Sequence, residues 1–312
     1  MLILLWGIPT EAPLQMTMDA LSRLGVATLL VDQQDEANTD VVLSVDGRVD
    51  GWIQTADQRV ALPDVTAAYP RPYDVSSLPE AQETSEGIER CDARQHVMQV
   101  EQTLRCWIEV TPALVVNRFS AMASNTSKPY QLQCIRRAGF AVPDTLVTTD
   151  PGAALAFWEL HGAVIYKSTS AARSIVSRLE KEHLSRLANV AHCPTQFQEY
   201  IDGVDFRVHV VGSEVYACEV STQASDYRYP GDHDVSVRAC DLPQEVEDRC
   251  RAVAQSLELP FAGVDLRRNS EGEWYCFEVN PSPGYSYYQR AADLPISDAV
   301  ARLLASSGER HG

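Results

Sequence analysis

Gly263-Val264-Asp265-Leu266-Arg267, then a polar turn, then Trp274-Tyr275-Cys276-Phe277-Glu278-Val279-Asn280-Pro281 is the stretch on which the reading of the fold turns. Two alternating runs are separated by Arg268–Glu273, which contains Gly272, and this pattern predicts a β-hairpin. A symmetric turn sets Asp265 opposite Glu278. One face then carries Val264, Leu266, Phe277 and Val279 toward a core. The other carries Asp265, Glu278 and Asn280, the last two sharing a face because side chains alternate along a strand. Directly opposed carboxylates repel one another, and a divalent cation between them relieves that cost. Three hard oxygen donors suit Mg²⁺ holding phosphates. A solvated acidic face is the ordinary alternative for Asp and Glu. The following Asn-Pro and the strictly apolar opposite face weigh against it.

Outward from this hairpin the chain reads as three units of mixed α/β and α+β character. In residues 1–115, the apolar run Leu2–Trp6 leads to a helical pattern (Leu14, Met18, Leu21, Leu24) stopped by Gly25, then to a second apolar strand, Val26–Val31. This βαβ start predicts parallel pairing. A hairpin follows around Asp46-Gly47 and Trp52–Leu62, then a strand Val65–Tyr69 and a helix over 84–110 ended by Pro112. Residues 116–193 hold a helix from Lys128 to Gly139, strands Thr145–Thr148 and Ala163–Lys167 around a helix at 151–161, and a helix over 177–190. Residues 194–312 hold a hairpin through Gly212-Ser213, a helix at 243–257, the acidic hairpin and a last helix at 296–305.

Composition narrows the classes. At 312 residues and 45% apolar, the chain suits two or three small domains with ordinary cores. The net charge of −17 argues against a nucleic-acid partner, which needs a broad basic face, but not against a nucleotide, which needs a few local cations. Eight cysteines without C-x-x-C or zinc spacing read as reduced core thiols of a cytoplasmic protein. Leu2–Trp6 is too short for a signal peptide or membrane span.

Val-Asp-Leu and Phe-Glu-Val-Asn-Pro in the acidic hairpin resemble the metal-binding end of the ATP-grasp superfamily. Earlier stretches agree in order. Asn117-Arg118, Asn125-Thr126-Ser127-Lys128, Gln131-Leu132 and Val142-Pro143 resemble the beginning of that domain. Tyr166-Lys167 resembles its second nucleotide lysine, and Gln198-Glu199-Tyr200-Ile201-Asp202-Gly203-Val204-Asp205-Phe206-Arg207 its hinge and following strand. The match runs over about 115–305. It implies an ATP-grasp fold with an N-terminal pre-ATP-grasp domain, an ADP-forming carboxylate ligase working through an acyl phosphate, and the cofactors ATP and Mg²⁺, with Mn²⁺ as the second candidate.

By this resemblance Asp265, Glu278 and Asn280 are the metal ligands. Lys128 and Lys167 neutralise ATP phosphates; a snorkelling surface lysine is the ordinary alternative, less comfortable for Lys128, whose charge opposes a helix N-terminus. Ser168 begins a phosphate flap, 168–175, that lacks the usual glycine, so Arg173 and the hydroxyls are expected to compensate. Gln198, Glu199, Tyr200 and Ile201 read the adenine, with Glu199 or Asp202 left open for the ribose. Asp205 shares a strand face with Arg207, which is placed near the γ-phosphate; a structural ion pair is the alternative. Arg228 is to clamp the acceptor carboxylate and Asp226 to position or deprotonate the nucleophile. The histidines are read as structural or surface groups, and Tyr285, Tyr287 and Tyr288 as packing aromatics or cleft lining.

Two branches of the superfamily compete: RimK-type amino-acid ligases, and microviridin-type maturases that close ester or amide rings on ribosomal peptides. Val147–Pro151, Glu219–Arg228, Leu294–Ala299 and the Leu62–Arg71 stretch resemble the second. The expected partners are therefore a nucleotide and a carboxylate substrate, a peptide in this reading, with a homodimer allowed. The alternative outside enzymes is a nucleotide-binding regulator. No Ser-His-Asp, Cys-His or P-loop signature competes.

Overall fold

The computed structural model describes residues 1–73, 88–168, 176–221 and 235–307, with backbone alone at 88–93. In the first unit β1 (Leu2–Gly7), α1 (Ala12–Arg23) and β2 (Ala27–Asp32) form the βαβ start. A side sheet of β3 (Asp40–Val45), β4 (Val49–Gln54) and β5 (Arg59–Ala61) follows, then β6 (Val65–Arg71), α2 (Ile88–Val110) and β7 (Leu114–Val115). The main sheet has the order β2-β1-β6-β7 and all its pairs are parallel. Buried on both faces, β1 reads as a continuous apolar run.

The second unit contains α3 (Lys128–Arg137), β8 (Thr145–Thr148), α4 (Pro151–His161), β9 (Val164–Ser168) and β10 (Ser177–Arg178). The sequence predicts an α-helix over 177–190. The chain instead forms the short strand β10 and then a 3₁₀ helix over Lys181–His192. Its inward residues, Leu184, Leu187 and Val190, recur every third position and pack on Phe197 and Val164. A period of three suits a 3₁₀ helix, in which residues i and i+3 eclipse. β11 (Thr195–Glu199) begins just past the expected boundary at 193 and completes the sheet β10-β9-β11-β8.

The third unit is an antiparallel sheet of order β14-β13-β12-β15-β16, built from β12 (Val204–Val211), β13 (Glu214–Ser221), β14 (Ser236–Cys240), β15 (Phe261–Arg268) and β16 (Trp274–Asn280). One face is covered by α5 (Gln244–Ser256) and by α3 of the second unit, through Val246, Cys250, Val253, Cys134 and Ile135. The final helices are α6 (Ser286–Ala292) and α7 (Ile296–Ala305). Helix α7 packs with α1, Ile3, Leu5 and Phe261 in one cluster, so the first and third units share a core. Cys134, Cys218, Cys250 and Cys276 are buried, whereas Cys106 and Cys193 are exposed, which corrects the reading of all the thiols as core. Among the described residues no helix is long and apolar enough to cross a membrane.

Candidate functional site

Three neighbouring strands carry the centre of the site. In register, Arg207 on β12 faces Asp265 on β15, and Asp265 faces Glu278 on β16. Arg207 Nη1 donates to Asp265 Oδ1 at 2.6 Å. At the far end Lys128, the first residue of α3, donates to Glu278 Oε1 at 2.6 Å and to Asn125 Oδ1 at 2.6 Å. The order is therefore cation, acid, acid, cation. Each of the two opposed carboxylates thus has a counter-charge of its own.

The facing of Asp265 and Glu278 depends on a bulge. The ladder shifts between Asp265 and Leu266, so Leu266 pairs with Cys276 and Phe277 is the extra residue. Trp274, Cys276 and Val279 consequently face the core. Phe277, expected among the core residues, is only half-buried and lies 5.3 Å from the Arg267 guanidinium. Burial pushes the Cys276 thiol well above its usual range, so it stays protonated behind the acids.

Polar side chains within the family-like stretches, with no role expected of them, hold this end in place. Gln131 spans Val279 with a bond in each direction, Nε2 to the carbonyl at 2.7 Å and the Val279 N–H to Oε1 at 3.1 Å. Buried Asn117 donates to the carbonyls of Phe261 and Pro281 at 2.6 Å each and accepts from the Phe261 N–H at 3.1 Å. It thereby staples the start of β15 to the end of β16. Asn280 lies opposite Gly263, and its Oδ1 accepts from the Ser282 N–H at 2.9 Å. Gly263 is needed: a Cβ there would stand 2.3 Å from Arg207 Nη2 and 2.7 Å from the Pro283 side chain. Glycine lets the guanidinium lie across the strand.

The loop after Asn280 is gripped by the first unit. Half-buried Arg71 pairs with Glu11 through two nitrogens at 3.0 and 2.8 Å and reaches the Pro283 carbonyl at 3.4 Å. Tyr285 OH donates to the Pro13 carbonyl at 2.6 Å and meets Thr17 at 2.7 Å. Of the three tyrosines, Tyr285 and Tyr288 are buried and Tyr287 is exposed. His209, two residues past Arg207, is fully buried against Tyr288, and burial together with the Arg207 charge keeps its imidazole neutral.

Lys167, Ser168 and the hinge stand on the second sheet. Lys167 faces Gln196 across β9 and β11 and is half-buried, and Ser168 is exposed at the strand end. Val164 and Tyr166 alternate with Lys167 and enter the core of that lobe. Gln198 is buried, its amide donating to Thr145 Oγ1 at 3.0 Å. The N–H groups of Glu199 and Tyr200 are spent on the carbonyls of Asp144 and Ala163. Asp205 does not pair with Arg207. It takes Arg267 bidentately at 2.7 and 2.8 Å, and Arg267 also reaches the Ile201 carbonyl at 2.7 Å. Arg267, which sequence reasoning misses, thus couples the hinge to the acid-bearing sheet; its only signal is its place two residues after Asp265. Arg173, Asp226 and Arg228 lie outside the described residues.

The donor set fits a hard divalent cation. Two carboxylates in register and an amide oxygen two residues along supply only oxygen, and each carboxylate holds a displaceable ammonium or guanidinium. The RimK-like ATP-grasp domain matches residues 125–304. A probable alpha-L-glutamate ligase of Photobacterium profundum is 27% identical over 228 residues, 65% of this chain and 72% of that protein. The ATP-grasp ligase PsnB, solved with precursor peptide PsnA2 and AMPPNP, is 26% identical with a TM-score of 0.79 and covers 99% of this chain and 98% of its own. The macrocyclase MdnC of Microcystis aeruginosa, solved with precursor peptide MdnA, has a TM-score of 0.81 at 20% identity, covering 98% and 100%, a likeness of fold.

Proposed function

The chain belongs to the RimK-like ATP-grasp family, and from that premise we propose that it is an ADP-forming ligase joining a carboxylate of a peptide to a nucleophile. The observation that carries the peptide reading is the likeness to PsnB over nearly the whole chain, first unit included. In this reading ATP lies between the sheet of β8–β11 and the acidic row. Glu199 and Ile201 offer backbone groups to the adenine, Lys167 and Lys128 meet phosphate oxygens, and Asp265, Glu278 and Asn280 would hold Mg²⁺. That ion, when bound, supplies positive charge to the β- and γ-phosphates.

The chain's own groups do the rest by position and charge. An oxygen of the substrate carboxylate takes the γ-phosphoryl group, the β–γ bridging bond breaks, and ADP leaves. Arg207, held over Gly263 by Asp265, sits where charge develops on the transferring group and offers a guanidinium fork. An amine or hydroxyl then attacks the acyl carbon, the bond to the phosphate oxygen breaks, and inorganic phosphate leaves. Asp226 takes the nucleophile's proton and Arg228 holds the acyl phosphate. The mechanism is that of phosphoryl transfer by positioning, with no covalent enzyme intermediate.

The glutamate-ligase relatives favour a second reading, addition of a free amino acid. The deciding experiment incubates the purified chain with ATP, Mg²⁺ and either acidic peptides or free glutamate with a carboxylate acceptor. Phosphate release coupled to loss of one water from the peptide is the expected result. Release coupled only to glutamate addition overturns the peptide reading, and no ADP with either class overturns catalysis.

A further inference from the structure

Behind the hinge, side chains from three separate elements converge. His161 ends α4, Asp144 precedes β8, and Glu199 ends β11. An imidazole nitrogen and one oxygen from each carboxylate come within 4.8 Å of one another. We propose that Asp144, His161 and Glu199 bind a borderline divalent transition-metal ion of the zinc type, at a site separate from the acidic row.

The two carboxylates meet because the backbone brings them together. The Glu199 N–H donates to the Asp144 carbonyl at 2.9 Å, and the Asp144 N–H donates to Glu199 Oε2 at 3.3 Å. The Glu199 carboxylate is thus held on the Asp144 backbone, and the Asp144 carboxylate, 62% exposed, lies beside it where a shared cation would offset their like charge. The imidazole points at them without bonding to them. His161 Nε2 stands 3.9 Å from Asp144 Oδ2, beyond hydrogen-bond range. Two ligands each about 2.0–2.2 Å from one zinc ion stand roughly 3–4 Å apart, and the observed separation falls in that interval. Among the described residues the ring makes no hydrogen bond, although the side chain is only 12% exposed. Phe157 packs on it at 4.4 Å between ring centroids and fixes its plane.

The donor chemistry selects the ion. An imidazole nitrogen with two carboxylate oxygens suits Zn²⁺ and its neighbours, whereas Mg²⁺ and Ca²⁺ prefer oxygen alone. Three protein ligands leave a fourth position to water, the arrangement of an open zinc site. An ion there ties the end of α4 to the first residue of the hinge, so its effect is to fix the adenine-reading backbone relative to the second sheet.

The test titrates the full-length protein with Zn²⁺, and in parallel with Co²⁺ as a visible probe, in saturating Mg²⁺ so that the acidic row is filled. One Zn²⁺ per chain, a cobalt absorption band, and a rise in melting temperature are expected. His161→Asn and Asp144→Asn, measured separately and checked for a native circular-dichroism spectrum, should each weaken Zn²⁺ binding at least as much as the roughly 10–100-fold that losing an outer-shell partner costs. ATP turnover in Mg²⁺ without zinc should stay at the wild-type value in both. Absence of stoichiometric zinc, or wild-type zinc affinity in either variant, overturns the site.

Discussion

The two sheets that would enclose a nucleotide are built to different standards. The acid-bearing sheet has strands of up to 8 residues, and one face is sealed by α3 and α5 over a large continuous core. Its charges are pre-set: each acid has a cation, Gln131 and Asn117 lock the flanking backbone, and Arg71 and Tyr285 pin the loop beyond. The hinge-side sheet has strands of 2 to 5 residues around a small cluster of Ala154, Val164, Leu179, Leu187, Val190 and Phe197. Fewer buried apolar contacts mean that opening this lobe locally takes less free energy. In the proposed reading the chemistry rests on the deep sheet, and the lobe that admits and releases nucleotide rests on the thin one.

Glu278→Gln attacks the deep sheet at its charge and should have the largest effect. It leaves an acceptor for Lys128 but removes one of the two carboxylates, so ATP turnover should fall about 10²–10³-fold, the usual consequence of deleting one charge-organising group. Circular dichroism and melting temperature should hardly move. Retained turnover would remove the acidic row from the chemistry.

Phe197→Ala attacks the thin sheet at its centre, where the ring is 1% exposed. Emptying such a site costs about 3–5 kcal/mol. Hydrogen exchange should quicken in β8, β9 and β11 while amides of β12 and β15 keep their protection, and the apparent KM for ATP should rise. Equal loss of protection in both sheets would mean that the two lobes are one cooperative unit and would break the comparison.

The first unit supplies the smallest effect and a pH signature. Glu36 is buried, accepts from Trp6 Nε1 at 2.7 Å, and is pushed up to about 7 by burial, with the Trp6 bond opposing and the Glu101 charge adding. The folded state thus holds this proton more tightly than the unfolded chain. The stability it confers is complete below the unfolded value of 4.5 and is lost as pH rises toward about 7. The wild type should lose on the order of 1–3 kcal/mol across that window, at about 1.4 kcal/mol per pH unit. Glu36→Gln should flatten the profile, read from melting temperature against pH. An unchanged slope would assign the pH dependence to other groups.

Much of the fold is legible in the sequence. Alternation marks the acidic hairpin, a glycine turn marks β12 to β13, and apolar periodicity marks α1 between its two strands. The departures have local causes. The 3₁₀ segment reads as α-helical because Leu184, Leu187 and Val190 fit a 3.6-residue period nearly as well as a period of three. Phe277 reads as inward because a bulge is invisible to a strict two-residue alternation, and it is this bulge that turns Cys276, not Phe277, to the core.

The sequence by itself determined which residues form the hairpin, which acids it presents and which family it resembles, because those signals lie within a few residues of one another. Only the tertiary structure decided the partners. Arg207 and Asp265 are 58 positions apart, Lys128 and Glu278 are 150, and Asp205 takes Arg267 rather than its strand neighbour. The grip of Arg71 on Pro283 and the meeting of Asp144, His161 and Glu199 are of the same kind. With 26 lysines and arginines and 43 acids in the chain, charge alone selects no pair. Strand order and register do, since a sheet places side chains a few ångströms apart across strands however far apart they lie in the sequence.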